Sequence, residues 1–169
     1  QLLGHNEAVS GLAVNDTGDR IISASGDRTI RIWPANAAEE DSPVRTLEGQ
    51  AKHLALAPDG SWIAGWGNAV GPPGPLVFWD PRSGQRLREI ALPAGRRQAL
   101  ALSPLGDVVA VSTRGPGEAG GGGEAPGVWL LETATGRRLG VLSERLPEVC
   151  ALSFRPDGAY LCAGLLALE

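Results

Sequence analysis

Large apolar residues recur at fixed distances from four glycines, and the pattern runs through the chain. The glycines are Gly18, Gly60, Gly106 and Gly158, and each ends a short turn sequence such as Pro-Asp-Gly. A large apolar residue lies six residues before each glycine, a second lies four before it, and a third lies three after it. Alternating apolar positions on both sides of a tight turn predict an antiparallel hairpin in every repeat. The leucines six residues before the glycines are predicted to lie in the core: Leu12, Leu54, Leu100 and Leu152.

Two further apolar segments follow each of the first three hairpins. The first segment ends in a tryptophan that comes directly after Ile, Phe or Val, and these tryptophans are Trp33, Trp79 and Trp129. A polar turn and a second, leucine-containing segment come next, and the turn glycines are 42, 46 and 52 residues apart. Four short strands in a repeat of this length are typical of a β-propeller blade, in whose core we expect the three tryptophans.

The first repeat carries a more specific motif. Gly4-His5 precedes the hairpin, the run Ser-Ala-Ser-Gly-Asp-Arg-Thr-Ile-Arg-Ile-Trp occupies 23–33, and the second repeat has Trp79-Asp80. These features resemble the WD40 (WD-repeat) family over essentially the whole chain. The resemblance implies an all-β fold of four-stranded antiparallel propeller blades in an incomplete ring. The expected blades lie at about 5–48, 51–92 and 97–143, and a fourth begins at about 148–169.

The resemblance also implies a hydrogen-bonded network that ties one blade together. Its positions here are His5, Ser23, Asp27 and Trp33. The second repeat retains only its tryptophan, because Gly49-Gln50 stands in place of Gly-His and no turn aspartate follows. The third also retains only its tryptophan. We therefore expect one well-formed blade and two degenerate ones.

Glycine and proline together make up 37 of the 169 residues, which indicates many turns. Two of the Gly/Pro-rich stretches, 67–75 and 115–127, lengthen the second and third repeats between the tight turn and the tryptophan. By resemblance, these loops lie on the face where propellers commonly bind partners; the alternative is a tolerated surface insertion without a function. The residues considered as partner-facing are Lys52, His53, Trp66 and Asn68, although Trp66 could equally pack beneath its loop.

The net charge of −4 argues against a nucleic-acid or anionic-membrane surface. The longest apolar run is nine residues, too short to span a bilayer, and no basic-then-apolar leader is visible. The expected localisation is therefore cytoplasmic. About three and a half repeats predict either a fragment of a longer chain or half of a ring that a second copy completes.

The sequence offers little for metal or cofactor chemistry. Cys150 and Cys162 are 12 residues apart and His5 and His53 are 48 apart, so neither pair has zinc-site spacing. We expect no metal and no cofactor, and two reduced, half-buried cysteines, although a disulfide is conceivable. A Gly-x-Gly-x-x-Gly match at 115–120 is followed by residues too rich in glycine and proline to start the helix that a dinucleotide site requires.

Two functions remain open. The first is a non-enzymatic scaffold for protein–protein interaction, part of a longer signalling or regulatory protein. The alternative is a propeller enzyme, such as a hydrolase, a lyase or a quinoprotein-like dehydrogenase, with its site in other blades. Such sites collect polar side chains at the innermost strands, which here carry Leu, Ala, Val and Ser. This composition favours the scaffold, with a protein partner and possible self-association.

Overall fold

The computed structural model of the chain is all-β, as the sequence predicts. It describes residues 4–15, 17–35, 45–49, 51, 53–66, 74–92, 96–114, 127–142 and 149–165. These residues form fourteen strands in three four-stranded antiparallel sheets and one two-stranded sheet. Nowhere in the described part of the chain is there a helix long and apolar enough to cross a membrane. The strand content confirms the predicted fold class of four-stranded propeller blades.

The chain divides into two compact units, Gln1–Glu89 and Ile90–Glu169. Two sheets belong to the first unit, and in each of them neighbouring strands follow one another along the chain. The first sheet contains β1 (Val9–Val14), β2 (Arg20–Ser25), β3 (Thr29–Pro34) and β4 (Arg45–Glu48). The second contains β5 (His53–Leu56), β6 (Ile63–Trp66), β7 (Leu76–Trp79) and β8 (Arg86–Ile90), of which the last residue falls in the second unit.

The second unit repeats this arrangement. Its four-stranded sheet contains β9 (Arg96–Leu102), β10 (Val108–Arg114), β11 (Gly127–Glu132) and β12 (Arg138–Leu142). A two-stranded hairpin follows, made of β13 (Val149–Phe154) and β14 (Leu161–Leu165).

The four repeat glycines close the tight turns between the first two strands of each sheet. Each has a φ near +70°, a left-handed conformation that glycine adopts without steric cost. Each also donates its backbone N–H to the carbonyl oxygen three residues earlier, at 2.8–3.0 Å. This geometry is a tight turn followed by a left-handed residue, so the predicted hairpins are confirmed.

The core of the first unit lies where its two sheets pack against each other. Ile22, Ala24 and Ile30 of the first sheet contact Ile63 and Val77 of the second. Leu47, Ala51 and Trp79 complete this buried cluster, and Ile32, Leu54 and Leu56 pack against it with partial exposure. In the second unit an equivalent cluster joins the four-stranded sheet to the hairpin: Ala101, Ala110, Val128 and Val149, with Leu130, Leu152, Phe154 and Leu161 packed against it.

The predicted core tryptophans are buried, whereas one predicted core leucine is not. Trp33, Trp79 and Trp129 are at most 4% exposed. Leu54, Leu100 and Leu152 are half-buried. Leu12 is 65% exposed, so its assignment to the core is wrong. The residue has the predicted position on β1, but no sheet among the described residues of its unit covers that face of the strand.

The cysteines also differ from expectation. Cys150 and Cys162 are both free thiols, and both are exposed rather than half-buried. They lie on the hairpin of β13 and β14, where Cys162 is paired in register with Ser153 and not with Cys150. The reason for the higher exposure is that no further strand flanks this hairpin among the described residues.

Candidate functional site

A hydrogen-bonded chain links the segment before β1 to β2, β3 and the turn between them. The Nε2 atom of His5 lies 2.7 Å from the Ser23 hydroxyl on β2. The Nδ1 atom lies 2.9 Å from an oxygen of Asp27, which is in the β2–β3 turn. Trp33 on β3 donates its indole N–H to the Ser23 hydroxyl oxygen at 2.8 Å. The structure thus brings together the four residues that the family resemblance implied.

The donors and acceptors fix the direction of this chain. The Ser23 oxygen accepts the indole proton and donates its own proton to His5. The Nε2 atom of His5 is then an acceptor, and the ring N–H that faces Asp27 is on Nδ1, from which the proton is donated to the carboxylate. The hydrogen bonds from Trp33 through Ser23 and His5 are therefore all donated in the direction of the Asp27 carboxylate.

Asp27 accepts two hydrogen bonds on each carboxylate oxygen. The hydroxyl and the backbone N–H of Thr29 bond to one oxygen, at 2.6 and 3.0 Å. His5 and the backbone N–H of Asn6 bond to the other, at 2.9 and 3.1 Å. Burial raises the pKa of Asp27, but the hydrogen bonds from Thr29, His5 and Asn6 outweigh it and hold the pKa well below the usual range of an aspartate. The carboxylate therefore remains ionised at neutral pH.

The order Asp27, His5, Ser23 is also the order of a hydrolytic triad, but this serine is not presented as a nucleophile. Ser23 is 3% exposed, and its oxygen already accepts the indole proton of Trp33. The side chains of His5 and Asp27 are only 6% and 7% exposed. A nucleophile needs an accessible oxygen with a free lone pair facing the substrate. The cluster instead connects the first residues of the repeat to its β2–β3 turn.

The tryptophans of the three sheets differ in how their indole N–H groups are satisfied. The N–H of Trp79 is buried and has no hydrogen-bond partner among the described residues. Gly65 occupies the position of Ser23 in this repeat, and it has no side chain to offer. Trp129 donates its indole N–H to the Thr113 hydroxyl at 3.0 Å. The third repeat therefore has a hydrogen-bond partner for its tryptophan, although its sequence retains no other residue of the network.

Sequence reasoning missed Thr29 and Thr113. Thr29 directly follows Asp27-Arg28, and its spacing from the aspartate is that of a turn whose threonine bonds back to it. Thr113 lies seven residues after its turn glycine, whereas Ser23 lies five after its own. Comparing residues at the same distance from each turn glycine therefore does not identify Thr113 as the counterpart of Ser23.

Replacing each of the three tryptophans with phenylalanine should distinguish an indole N–H that has a hydrogen-bond partner from one that has none among the described residues. Trp33→Phe removes a buried donor from Ser23, and we expect it to lower the free energy of unfolding by about 1–2 kcal/mol. Trp79→Phe removes a donor that has no partner among the described residues, so we expect its loss of stability to be clearly smaller, whereas Trp129→Phe should resemble Trp33→Phe. Urea unfolding of the three variants gives the comparison. A loss in Trp79→Phe equal to the other two would contradict this account.

A groove lies beside the network, on the side of the β2–β3 turn. Its volume is about 750 Å³. The aromatic rings of Trp66 and Trp79 line it together with Val77, and all three residues are buried in the second sheet. The rim carries exposed charged side chains, Arg28, Glu48 and Arg86. An apolar lining with charged groups at the edge is suited to binding a short segment of another molecule.

The four residues considered as partner-facing have different positions. Trp66 is only 4% exposed, so its interpretation as an exposed anchor is wrong; every residue of β6 is buried, and the ring packs on His53 with 4.9 Å between ring centroids. Trp66 also lines the groove. His53 is half-buried. Lys52 and Asn68 lie outside the described residues, as do most of the loop positions predicted at 67–75 and 115–127.

No group of three or more potential metal-ligating side chains occurs among the residues that the structure describes. For the chain as a whole, the absence of a metal site stays a prediction.

Comparison with known proteins agrees with the repeat pattern. Residues 1–34 match the family model described as WD domain, G-beta repeat. The periodic tryptophan protein 2 homolog of Mus musculus is 30% identical over 101 residues, which are 57% of this chain and 11% of the relative. A WD repeat-containing protein of Synechocystis is 39% identical over 61 residues, 36% of this chain and 18% of that protein.

A third relative is cell division cycle 20.5, cofactor of APC complex, from Arabidopsis thaliana. It is 27% identical over 95 residues, 52% of this chain and 21% of the relative. The chain thus spans no more than about a fifth of the length of these three proteins. The matched repeat, the relatives and the four-stranded sheets together support WD40-repeat architecture for this chain.

Proposed function

We propose that this chain is a non-enzymatic scaffold that binds a segment of a partner protein, within a longer signalling or regulatory protein. WD-repeat proteins typically act as protein-interaction scaffolds, and one relative is named as a cofactor of a complex. We also propose a cytoplasmic location, which the unpaired thiols of Cys150 and Cys162 support.

The observation that carries the proposal is the groove lined by Trp66, Val77 and Trp79. Buried aromatic rings at the base of an open groove give a bound segment apolar contact without exposing a large hydrophobic patch. The groove belongs to a single unit, so its lining is held by the shared core of the first two sheets.

The charges on the rim indicate the chemistry of the segment. Arg28 and Arg86 are exposed there, and the carboxylates among the described lining residues are Glu48 and Asp27, of which Asp27 is saturated by His5, Asn6 and Thr29. Arg86 also pairs with Glu89, but both side chains are about half exposed and such pairs are weak. We therefore propose a segment that combines an acidic side chain with a small apolar one.

Peptides selected from a random display library on the 169-residue chain test this proposal. We expect the selected peptides to be acidic and to bind the double variant Arg28→Gln/Arg86→Gln about tenfold more weakly, a change of about 1.4 kcal/mol. The control Arg137→Gln/Arg155→Gln changes the net charge equally at two exposed arginines of the second unit. It should bind as the unchanged chain does.

Other results would count against the groove. Equal weakening in both double variants would indicate a general effect of net charge. Selected peptides without acidic residues, or with unchanged affinity for the groove variant, would place the binding elsewhere.

A further inference from the structure

A second pocket opens at the edge of the first two sheets that is opposite to the groove. The groove lies beside the β2–β3 turn, whereas this pocket lies among the β1–β2, β5–β6 and β7–β8 turns of the same unit. Its volume is about 530 Å³, which is within the range of sites for small ligands. The pocket combines an aliphatic floor with a charged rim.

The floor of the pocket is made of aliphatic side chains from both sheets. Ile22 and Ile32 belong to the first sheet and Leu56 belongs to the second. Ile22 is buried, and the other two are half-buried and pack on the core cluster of the unit. The floor is therefore held in place by the core, and it offers apolar contact to an aliphatic side chain of a ligand.

Three arginines line the pocket, Arg20, Arg45 and Arg82. The first two lie on either side of β3, because Arg20 pairs in register with Pro34 and Arg45 pairs with Ile32. The Arg45 guanidinium also donates to the backbone carbonyl of Arg82, so a side chain of the first sheet reaches the β7–β8 turn of the second. Arg45 and Arg82 form no ion pair with a carboxylate among the described residues.

Two aspartates also line the pocket, and both accept hydrogen bonds from their own turns. Asp19 accepts from the Asn15 amide and the Thr17 hydroxyl. Asp59 accepts from the hydroxyl and the backbone N–H of Ser61, at 2.6 and 3.0 Å. These hydrogen bonds hold the pKa of both aspartates below its usual range, so both are ionised at neutral pH.

The charges around the pocket decide which anion fits. Three arginines and two ionised aspartates leave an excess of one positive charge among the described lining residues. Asp19 lies 3.7 Å from the Nε atom of Arg20, so this excess lies with Arg45 and Arg82. One carboxylate balances the excess, whereas a phosphate group, with about two negative charges, would also be repelled by Asp19 and Asp59.

A carboxylate directly beside an apolar side chain occurs at the C-terminal residue of a protein chain. The main-chain carboxylate and the last side chain share one Cα atom, so both can enter a pocket of about 530 Å³. We propose that this pocket binds the C-terminal residue of a partner protein. Its aliphatic side chain lies on the floor, and its terminal carboxylate is bound by Arg45 and Arg82. The pocket is separate from the groove and does not depend on binding there.

The probe for this proposal is the peptide Gly-Ser-Gly-Ser-Leu, with a free carboxyl end and an uncharged dye on its N-terminus. Titration with the 169-residue chain is followed by fluorescence anisotropy. Amidation removes the terminal charge, and a glycine in place of the leucine removes the aliphatic side chain. We expect each change to weaken binding about tenfold, a change of about 1.4 kcal/mol.

Variants of the chain locate the peptide. Arg45→Gln/Arg82→Gln should weaken binding about tenfold. The control Arg137→Gln/Arg155→Gln changes the net charge equally in the second unit and should bind as the unchanged chain does. Because Arg45 also holds the β7–β8 turn, Arg82→Gln alone is a second test; it keeps that hydrogen bond, whose acceptor is a backbone carbonyl, and should still weaken binding.

The proposal would be overturned if the chain did not bind the leucine-ended peptide, or bound its amide equally well. Unchanged affinity in Arg82→Gln and in the double variant would also exclude the pocket. Stronger displacement of the peptide by sodium phosphate than by sodium acetate, at equal ionic strength, would contradict a site for one carboxylate. A loss of binding in Arg28→Gln/Arg86→Gln instead would place the peptide in the groove.

Discussion

Replacing Phe78 with alanine should lower the free energy of unfolding of the chain by about 3–5 kcal/mol. Phe78 lies on β7 and is 1% exposed. The edge of its ring meets Trp62 with 5.0 Å between centroids, and the Arg88 guanidinium carbon lies 4.3 Å from the ring centroid. Truncation removes this apolar surface from the core and leaves a cavity beside Trp62 and Arg88. The expected loss is a large part of the stability of an ordinary domain.

Urea unfolding followed by tryptophan fluorescence measures this effect in the first unit, which contains four of the five tryptophans. Leu87→Ala is the matched control, because Leu87 lies on the neighbouring strand β8 and is 55% exposed. We expect its effect to stay within about 0.5 kcal/mol. If the two substitutions had similar effects, Phe78 would not be a core residue of this sheet.

Replacing Asp27 with asparagine should destabilise the chain by about 1–3 kcal/mol at neutral pH. Each oxygen of the carboxylate accepts two hydrogen bonds, so the amide nitrogen of an asparagine faces two donors whichever way it is turned. The buried proton of His5 or the hydroxyl proton of Thr29 then loses its acceptor. The same substitution at Asp59 is the control, because Asp59 forms an exposed turn in the second repeat. It should have a much smaller effect.

The effect of Asp27→Asn should depend on pH in a defined direction. The pKa of Asp27 is lower in the folded chain than in the unfolded chain, where it is about 3.9. The stabilisation is therefore complete above about pH 5 and declines as the pH falls through 4 towards the folded pKa. Urea unfolding of both proteins at several pH values between 6 and 3 should show their stabilities converging. A difference that stays constant over this range would mean that the charge of Asp27 is not its source.

The strands could be predicted well from the sequence because the turns and the apolar alternation that define them involve residues close together in the chain. The turn glycines have the left-handed conformation that their sequence context indicates, and the hairpins on either side follow from alternating apolar residues. The positions of His5, Ser23, Asp27 and Trp33 followed from one motif, and their contacts lie within one sheet and the segment leading into it.

The environment of individual side chains could not be predicted in the same way. Leu12 and Leu54 occupy the same repeat position, yet one is 65% exposed and the other packs on a buried cluster. Trp66 was considered as a surface anchor, but β6 is buried on both faces and its ring stacks on His53. Burial depends on which sheet lies opposite, and no local pattern contains that information.

The sequence by itself determined the repeat, its strand order and its turns, and its resemblance to a known family implied the residues of the His5 network, because each of these depends on neighbours within one blade. Only the tertiary structure decided which apolar faces are covered, which tryptophan N–H lacks a partner among the described residues, and where a groove opens beside the network. These features arise where sheets meet, and the fit between two sheets is set by groups about 40 residues apart in sequence, such as the Ser10 hydroxyl and the backbone carbonyl of Ala51, to which it donates.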